Sequence, residues 1–131
     1  MSRLDYTACI WPLLVFAAHN SRVLSYDLLG RLIGAPANDL GRLLEPIQSH
    51  CILKGLPPLT SIVVDARTGL PDEGFIAADN VPRAQAETFR FDWLAEPVPS
   101  REDYRRAVRQ LPSLGLSLTA LMRRTGYTKP T

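Results

Sequence analysis

Two cysteines and two histidines are the side chains of this 131-residue sequence best suited to chemistry. His50 and Cys51 are adjacent, and an imidazole beside a thiol suggests a nucleophile with its base. Neighbours on a helix point about 100° apart, so His50 is badly placed to serve Cys51. Cys51 reads instead as a small buried hydrophobe. Cys9, His19, His50 and Cys51 would form a metal set only if a first and a third helix converged, and their spacing matches no zinc pattern. Asp65, Asp72, Glu73 and Asp79 are the acidic residues that a divalent ion would use. Neither a lysine nor a paired-carboxylate signature accompanies them, so a solvated acidic loop is expected. The glycines never cluster into a phosphate-cradling loop. The sequence predicts no catalytic residue, no metal and no cofactor: a non-enzymatic protein.

The elements that would position these residues are mostly helical. An apolar segment from about Leu4 to His19, with Leu13, Leu14, Phe16 and Ala17, predicts a central helix that must accommodate Pro12. Ser25 is a good N-cap, Leu28, Leu29, Leu32 and Ile33 recur at helical spacing, and Gly34 and Pro36 end the pattern. A third helix follows, capped by Asn38 or Asp39, with Leu40, Leu43, Leu44 and Ile47 inward, a kink at Pro46 and a stop at Gly55. After Pro57-Pro58, the β-branched run Leu59 to Asp65 predicts a strand. Residues 66–69 read as a turn, and residues 70–76 as a return strand limited by Pro71. Residues 77–99 read as an irregular connector with a short helix near Pro82 to Phe89, then Phe89, Phe91 and Trp93 in an extended stretch. Ser100 and Asp103 form a capping-box-like start to a helix with Tyr104, Val108 and Leu111 inward. A last short helix is expected over residues 117–124, with Gly126 as its cap. The predicted class is α+β: a mostly helical winged helix-turn-helix with a β-hairpin wing and C-terminal helices. Its domain plan is a single domain, with residues 1–76 as core, 77–99 as connector and 100–131 as C-terminal segment.

Composition is that of a globular chain, 46% hydrophobic and 21% charged, with net charge +2. Charge is uneven: Asp65 to Glu96 holds seven Asp/Glu against three Arg, and Arg101 to Thr131 holds seven Lys/Arg against two acids. A basic segment suits phosphate or an acidic protein surface, although a solvated helix face explains it equally well. Arg3 followed by residues 8–18 has the outline of a secretory signal. Asp5 and Pro12 oppose that reading, and a buried helix is expected. No apolar run has the length of a membrane span. Two thiols without a framework fit a reducing compartment, so a cytoplasmic location is expected.

The most specific stretch is Val23 to Pro36, VLSYDLLGRLIGAP: a capped helix and a sharp Gly-containing turn leading to a second helix. It resembles the DNA-binding domain of the alkylguanine-DNA alkyltransferases and alkyltransferase-like proteins, through Val23, Ser25, Tyr26, Leu29, Ile33, Gly34 and Pro36. The resemblance covers residues 23–64. It implies a winged helix-turn-helix in which Tyr26 handles the nucleic-acid backbone. Aligning the family's Val-Val pair on Val63 and Val64 puts Thr60 at the reactive-cysteine position, with Leu59, Ser61 and Ile62 around it. Leu40 falls near the intercalating arginine, with Arg42 a loose substitute. Alkyl transfer is therefore not implied. A fainter helix-turn-helix echo occupies residues 118–131, where a plain terminal helix is the better expectation.

Two functions follow as expectations. One is an accessory or regulator binding duplex nucleic acid through Ser25, Tyr26, Asn38, Arg42 and Arg67. The other is a protein-interaction module, such as a bacterial or phage inhibitor, adaptor or immunity protein, using the acidic wing or Arg105, Arg106 and Arg109. Against the first, the leading turn Ala37-Asn38-Asp39 carries a negative charge where phosphate would approach. No membrane and no small-molecule substrate is expected.

Overall fold

The computed structural model describes residues 1–72, 75 and 78–113, with residues 111–113 described by backbone alone. In chain order they form α1 (Arg3–His19), β1 (Leu24–Ser25), α2 (Tyr26–Ile33), α3 (Leu40–Lys54), β2 (Val63–Val64), α4 (Val81–Arg90) and α5 (Arg101–Ser113), with short 3₁₀ turns between. The architecture is mostly helical with one small parallel sheet, an α+β arrangement.

Local chemistry explains most boundaries. Ser2 Oγ accepts from the Asp5 N–H at 3.2 Å and Asp5 Oδ2 accepts from the Ser2 N–H at 3.0 Å, a complete capping box at the start of α1. Pro12 sits inside that helix without ending it. Ile10, Trp11, Leu14 and Ala18 go into the core, whereas Phe16, expected inward, is 71% exposed. Ser25 Oγ caps α2 by accepting from the Leu28 N–H at 3.1 Å. Gly34 ends α2 at φ +77°, and both Gly34 and Ala35 donate to the Gly30 carbonyl.

The connection to α3 runs through a 3₁₀ turn, Ala37–Asp39. The cap expected from Asn38 or Asp39 is absent: among the described residues no side-chain cap bond is made at the start of α3, and the Asp39 carboxylate binds Arg42 instead. Pro46 lies within α3 without interrupting its assignment, and Gly55 closes it at φ +67°. α2 meets α3 chiefly through the intervening turn, while α3 packs on α1 and α5.

The strand expected over Leu59–Asp65 is a correction. Leu59–Ile62 is a 3₁₀ turn, tightened by the Ser61 N–H donating to the Pro58 carbonyl at 2.9 Å, and only Val63–Val64 is strand. Its partner is β1, in parallel register Leu24↔Val63 and Ser25↔Val64. The β-branched run signals burial here more than extension: Leu59, Ile62, Val63 and Val64 are all buried. The expected turn does form, with the Asp65 N–H donating to the Leu70 carbonyl at 2.9 Å and Gly69 at φ +71°. No antiparallel ladder extends from it among the described residues, so they contain no β-hairpin. Residues 73, 74, 76 and 77 lie outside the description, as do the helix and helix-turn-helix echo expected beyond residue 113.

The connector is more regular than expected. α4 is capped by Asn80, whose side chain accepts from the Arg83 N–H at 3.1 Å. Phe91 follows it, and Trp93 lies in a 3₁₀ turn rather than an extended stretch. Trp93 meets Trp11 edge-on at 5.8 Å, and Trp11 meets His50 at 5.9 Å, a ring cluster completed by Tyr104. Ser100 and Asp103 form the expected reciprocal box before α5, at 3.1 and 2.8 Å. No helix among the described residues is long and apolar enough to cross a membrane.

Candidate functional site

The parallel pairing of β1 with β2 brings the start of α2 beside the loop that leaves β2. Two tethers fix this neighbourhood. The Asp65 carboxylate accepts from the Arg67 N–H at 2.7 Å, folding the 65–70 loop on itself. The Asp72 N–H donates to Tyr26 Oη at 2.9 Å across 46 residues. The preceding 3₁₀ turn is held from α4: Thr88 Oγ1 donates to a backbone carbonyl and contacts Ser61 Oγ at 3.3 Å, and Gln85 Nε2 donates to the Ser61 carbonyl at 2.9 Å.

Four of the five residues expected to meet nucleic acid converge here. Ser25, Tyr26, Asn38 and Arg67 line one cleft of about 430 Å³. Asp27, Asp65 and Asp72 line it too. Arg67 is the one cationic residue lining it among the described residues, and its guanidinium lies 3.4 Å from Asp65. That arginine holds the Asp65 carboxyl below the ordinary carboxylate range, after the larger effect of the Arg67 backbone N–H. Arg42 is not among the cleft residues and is held by Asp39 at 3.0 and 3.1 Å. Leu40, near the family's arginine position, is fully buried and cannot reach a partner.

Behind Tyr26 lies a smaller chamber of about 20 Å³, bordered by Tyr26, Glu45, Gln48, Thr60 and Asp72, with Gly41 beside it. Thr60, the residue at the reactive-cysteine position of the resemblance, is 5% exposed, and its Oγ1 has no hydrogen-bond partner among the described residues. Burial pushes the Tyr26 phenol up to about 12, keeping it protonated. Tyr26 and Asp72, joined by their hydrogen bond, border both spaces. The sequence carries no signal for this chamber, since its walls come from residues far apart in the chain.

The other candidates are dispersed. Arg105 and Arg109 both pair with Glu102, at 3.3 and 3.0 Å, and Arg106 pairs with Asp103 at 3.5 Å. Cys51 is buried, and that burial pushes its thiol up to about 12, leaving no thiolate to act as nucleophile. Cys9 is exposed. No group of three or more His, Cys, Asp or Glu among the described residues is arranged to hold a metal ion. A separate apolar depression of about 420 Å³ is bordered by Phe16, Leu94 and Val98 over Trp11 and Trp93, and contains none of the expected site residues. Comparison with protein-family models, characterised proteins and solved structures yields no match for this chain.

Proposed function

We propose that this chain is a non-catalytic protein-interaction module, and that its partner presents positively charged side chains to the cleft beside Tyr26. One observation carries the reading: among the described residues, Asp27, Asp65 and Asp72 line that cleft against the single arginine Arg67, which pairs with Asp65, so acidic residues outnumber basic ones there. Such a surface repels phosphate and attracts cations, an effect strongest at low ionic strength. On α5, Arg105, Arg106 and Arg109 are all engaged within the helix, Arg105 and Arg109 sharing Glu102 and Arg106 pairing with Asp103, which offsets two of the three charges. A cytoplasmic role suits the two free thiols.

The second reading is a nucleic-acid accessory of winged-helix type, as the alkyltransferase-like resemblance implies. It is favoured by the convergence of Ser25, Tyr26, Asn38 and Arg67, and by Arg22 and Arg31, exposed and without ion pairs among the described residues. Titrating fluorescent probes with the protein separates the two. The probes are a synthetic peptide carrying four lysines and a 20-base-pair duplex, each over a series of NaCl concentrations. The proposed function predicts saturable peptide binding that weakens with salt, and no duplex binding. Duplex binding at low salt with no peptide binding would establish the nucleic-acid reading instead.

A further inference from the structure

Phe16 stands 71% exposed on the rim of the apolar depression beside α1, with Leu94 and Val98 at 66% and 73%. Single exposed hydrophobics are ordinary, but a contiguous set around a hollow marks an interaction site. The hollow is floored by Trp11 and Trp93, both buried. One wall is α1; the other is the segment after α4 that carries Leu94 and Val98, stiffened by Pro97 and Pro99. Knobs and hollow share one surface, which is what a self-complementary contact requires. The charges fit the same pattern. The ionisable residues lining the groove among the described residues are His19 and Glu96, and neither makes an ion pair there. Trp93 meets Trp11, and Arg101 reaches Asp5 at 2.8 Å, so the chain carrying Glu96 runs back toward the start of α1. His19 is the last residue of α1, about 12 Å beyond Trp11 in the other direction. A two-fold axis across the groove therefore sets the His19 end of one copy against the Glu96 end of the other, twice over. A different protein would need that reversed pattern; a second copy has it by construction.

We infer that this groove is a homodimer face: two copies of the chain pair about a two-fold axis, with Phe16 of each seated in the hollow of the other and His19 of each opposite Glu96 of the other. The groove is lined by nine residues, below the roughly 20–30 per side of a standard interface, so the dimer is weak and concentration-dependent. It shares no residue with the cleft beside Tyr26, so the inference stands apart from the cationic-partner reading.

Sedimentation equilibrium of the full chain, from about 5 to 500 µM, tests it. The average mass should rise with concentration from that of one copy toward that of two. Phe16→Ser alters an exposed side chain, so circular dichroism should report an unchanged fold, while the dimer dissociation constant should rise about tenfold or more. His19→Glu should weaken the dimer about fivefold by setting like charges face to face, and adding Glu96→Lys to that variant should restore it. Restoration requires positions 19 and 96 to meet across the interface. The mass of one copy at every concentration would overturn the inference and leave the groove to another occupant, residues 114–131 of the same chain or a different protein. A dimer indifferent to Phe16→Ser, or one that the second charge reversal fails to restore, would also overturn it. None of these outcomes bears on peptide binding at the Tyr26 cleft.

Discussion

Arg3 donates through Nε to the backbone carbonyl of Arg42 at 2.9 Å. Four residues beyond Arg42 stands Pro46, which has no N–H to close the helical bond onto that carbonyl. The first turn of α1 therefore supplies the donor that α3 lacks. Removing the guanidinium by Arg3→Met should cost about 1 kcal/mol in denaturant unfolding. In a Pro46→Ala background, where the helix can satisfy the carbonyl itself, the same change should cost clearly less. Equal costs in both backgrounds would mean that the two features are independent.

Gly30 and Gly41 should respond with opposite signs to alanine. A Cβ on Gly30 would lie 2.6 Å from the Ala35 carbonyl oxygen, a backbone atom, whereas one on Gly41 meets nothing within 4 Å. Gly30→Ala should therefore lower stability by about 1–3 kcal/mol despite alanine's better helix propensity. Gly41→Ala should raise it by about 0.5 kcal/mol. Thermal melts of the two variants check the pair.

Stability should fall on mild acidification because of His50. Burial holds its imidazole below the ordinary value of 6.5, with nearby Lys54 acting the same way and Asp103 opposing. The unfolded chain takes up a proton as pH drops through that value while the folded chain does not, so unfolding is favoured. The loss ends once pH falls through the depressed folded value. Asp5, Asp39, Asp65, Glu102 and Asp103, whose carboxyls are held low by hydrogen bonds and arginines, weaken the fold only at more acidic pH. His50→Phe should flatten the stability profile just below pH 6.5 and leave the acidic limb intact. A wild-type profile already flat there would refute this assignment.

Tyr26 tethers the loop after β2 through its hydroxyl. Tyr26→Phe keeps the ring but removes the acceptor for the Asp72 N–H. Hydrogen exchange at the Asp72 amide should accelerate, with a global cost of about 1 kcal/mol or less. An unchanged exchange rate would mean that the tether does not restrain the loop.

Much of the helical framework was legible because its signals are local. Ser25 with Gly34 brackets α2, and Ser100 with Asp103 starts α5, through bonds made within a few residues. The Leu59–Asp65 segment misled because full burial selects the same apolar and β-branched residues as a strand, while Pro58 and Ser61 set a 3₁₀ turn. The cleft was legible in membership but not in character. Ser25, Tyr26, Asn38 and Arg67 could be picked out as a motif, yet the approach of Asp72 to Tyr26 spans 46 residues and no spacing rule reports it. The Asp39–Arg42 pairing, by contrast, is an i,i+3 relationship readable in advance.

The central claim is that the carboxylates beside Tyr26 attract a cationic partner. Calorimetric titration of the four-lysine peptide into wild type and the Asp27→Asn/Asp65→Asn double variant tests it most directly. Asparagine at position 65 keeps an oxygen for the Arg67 N–H, so the loop should hold its shape. The account predicts binding weakened about tenfold or more, with a shallower salt dependence. Peptide affinity and salt dependence identical in the two proteins would contradict it.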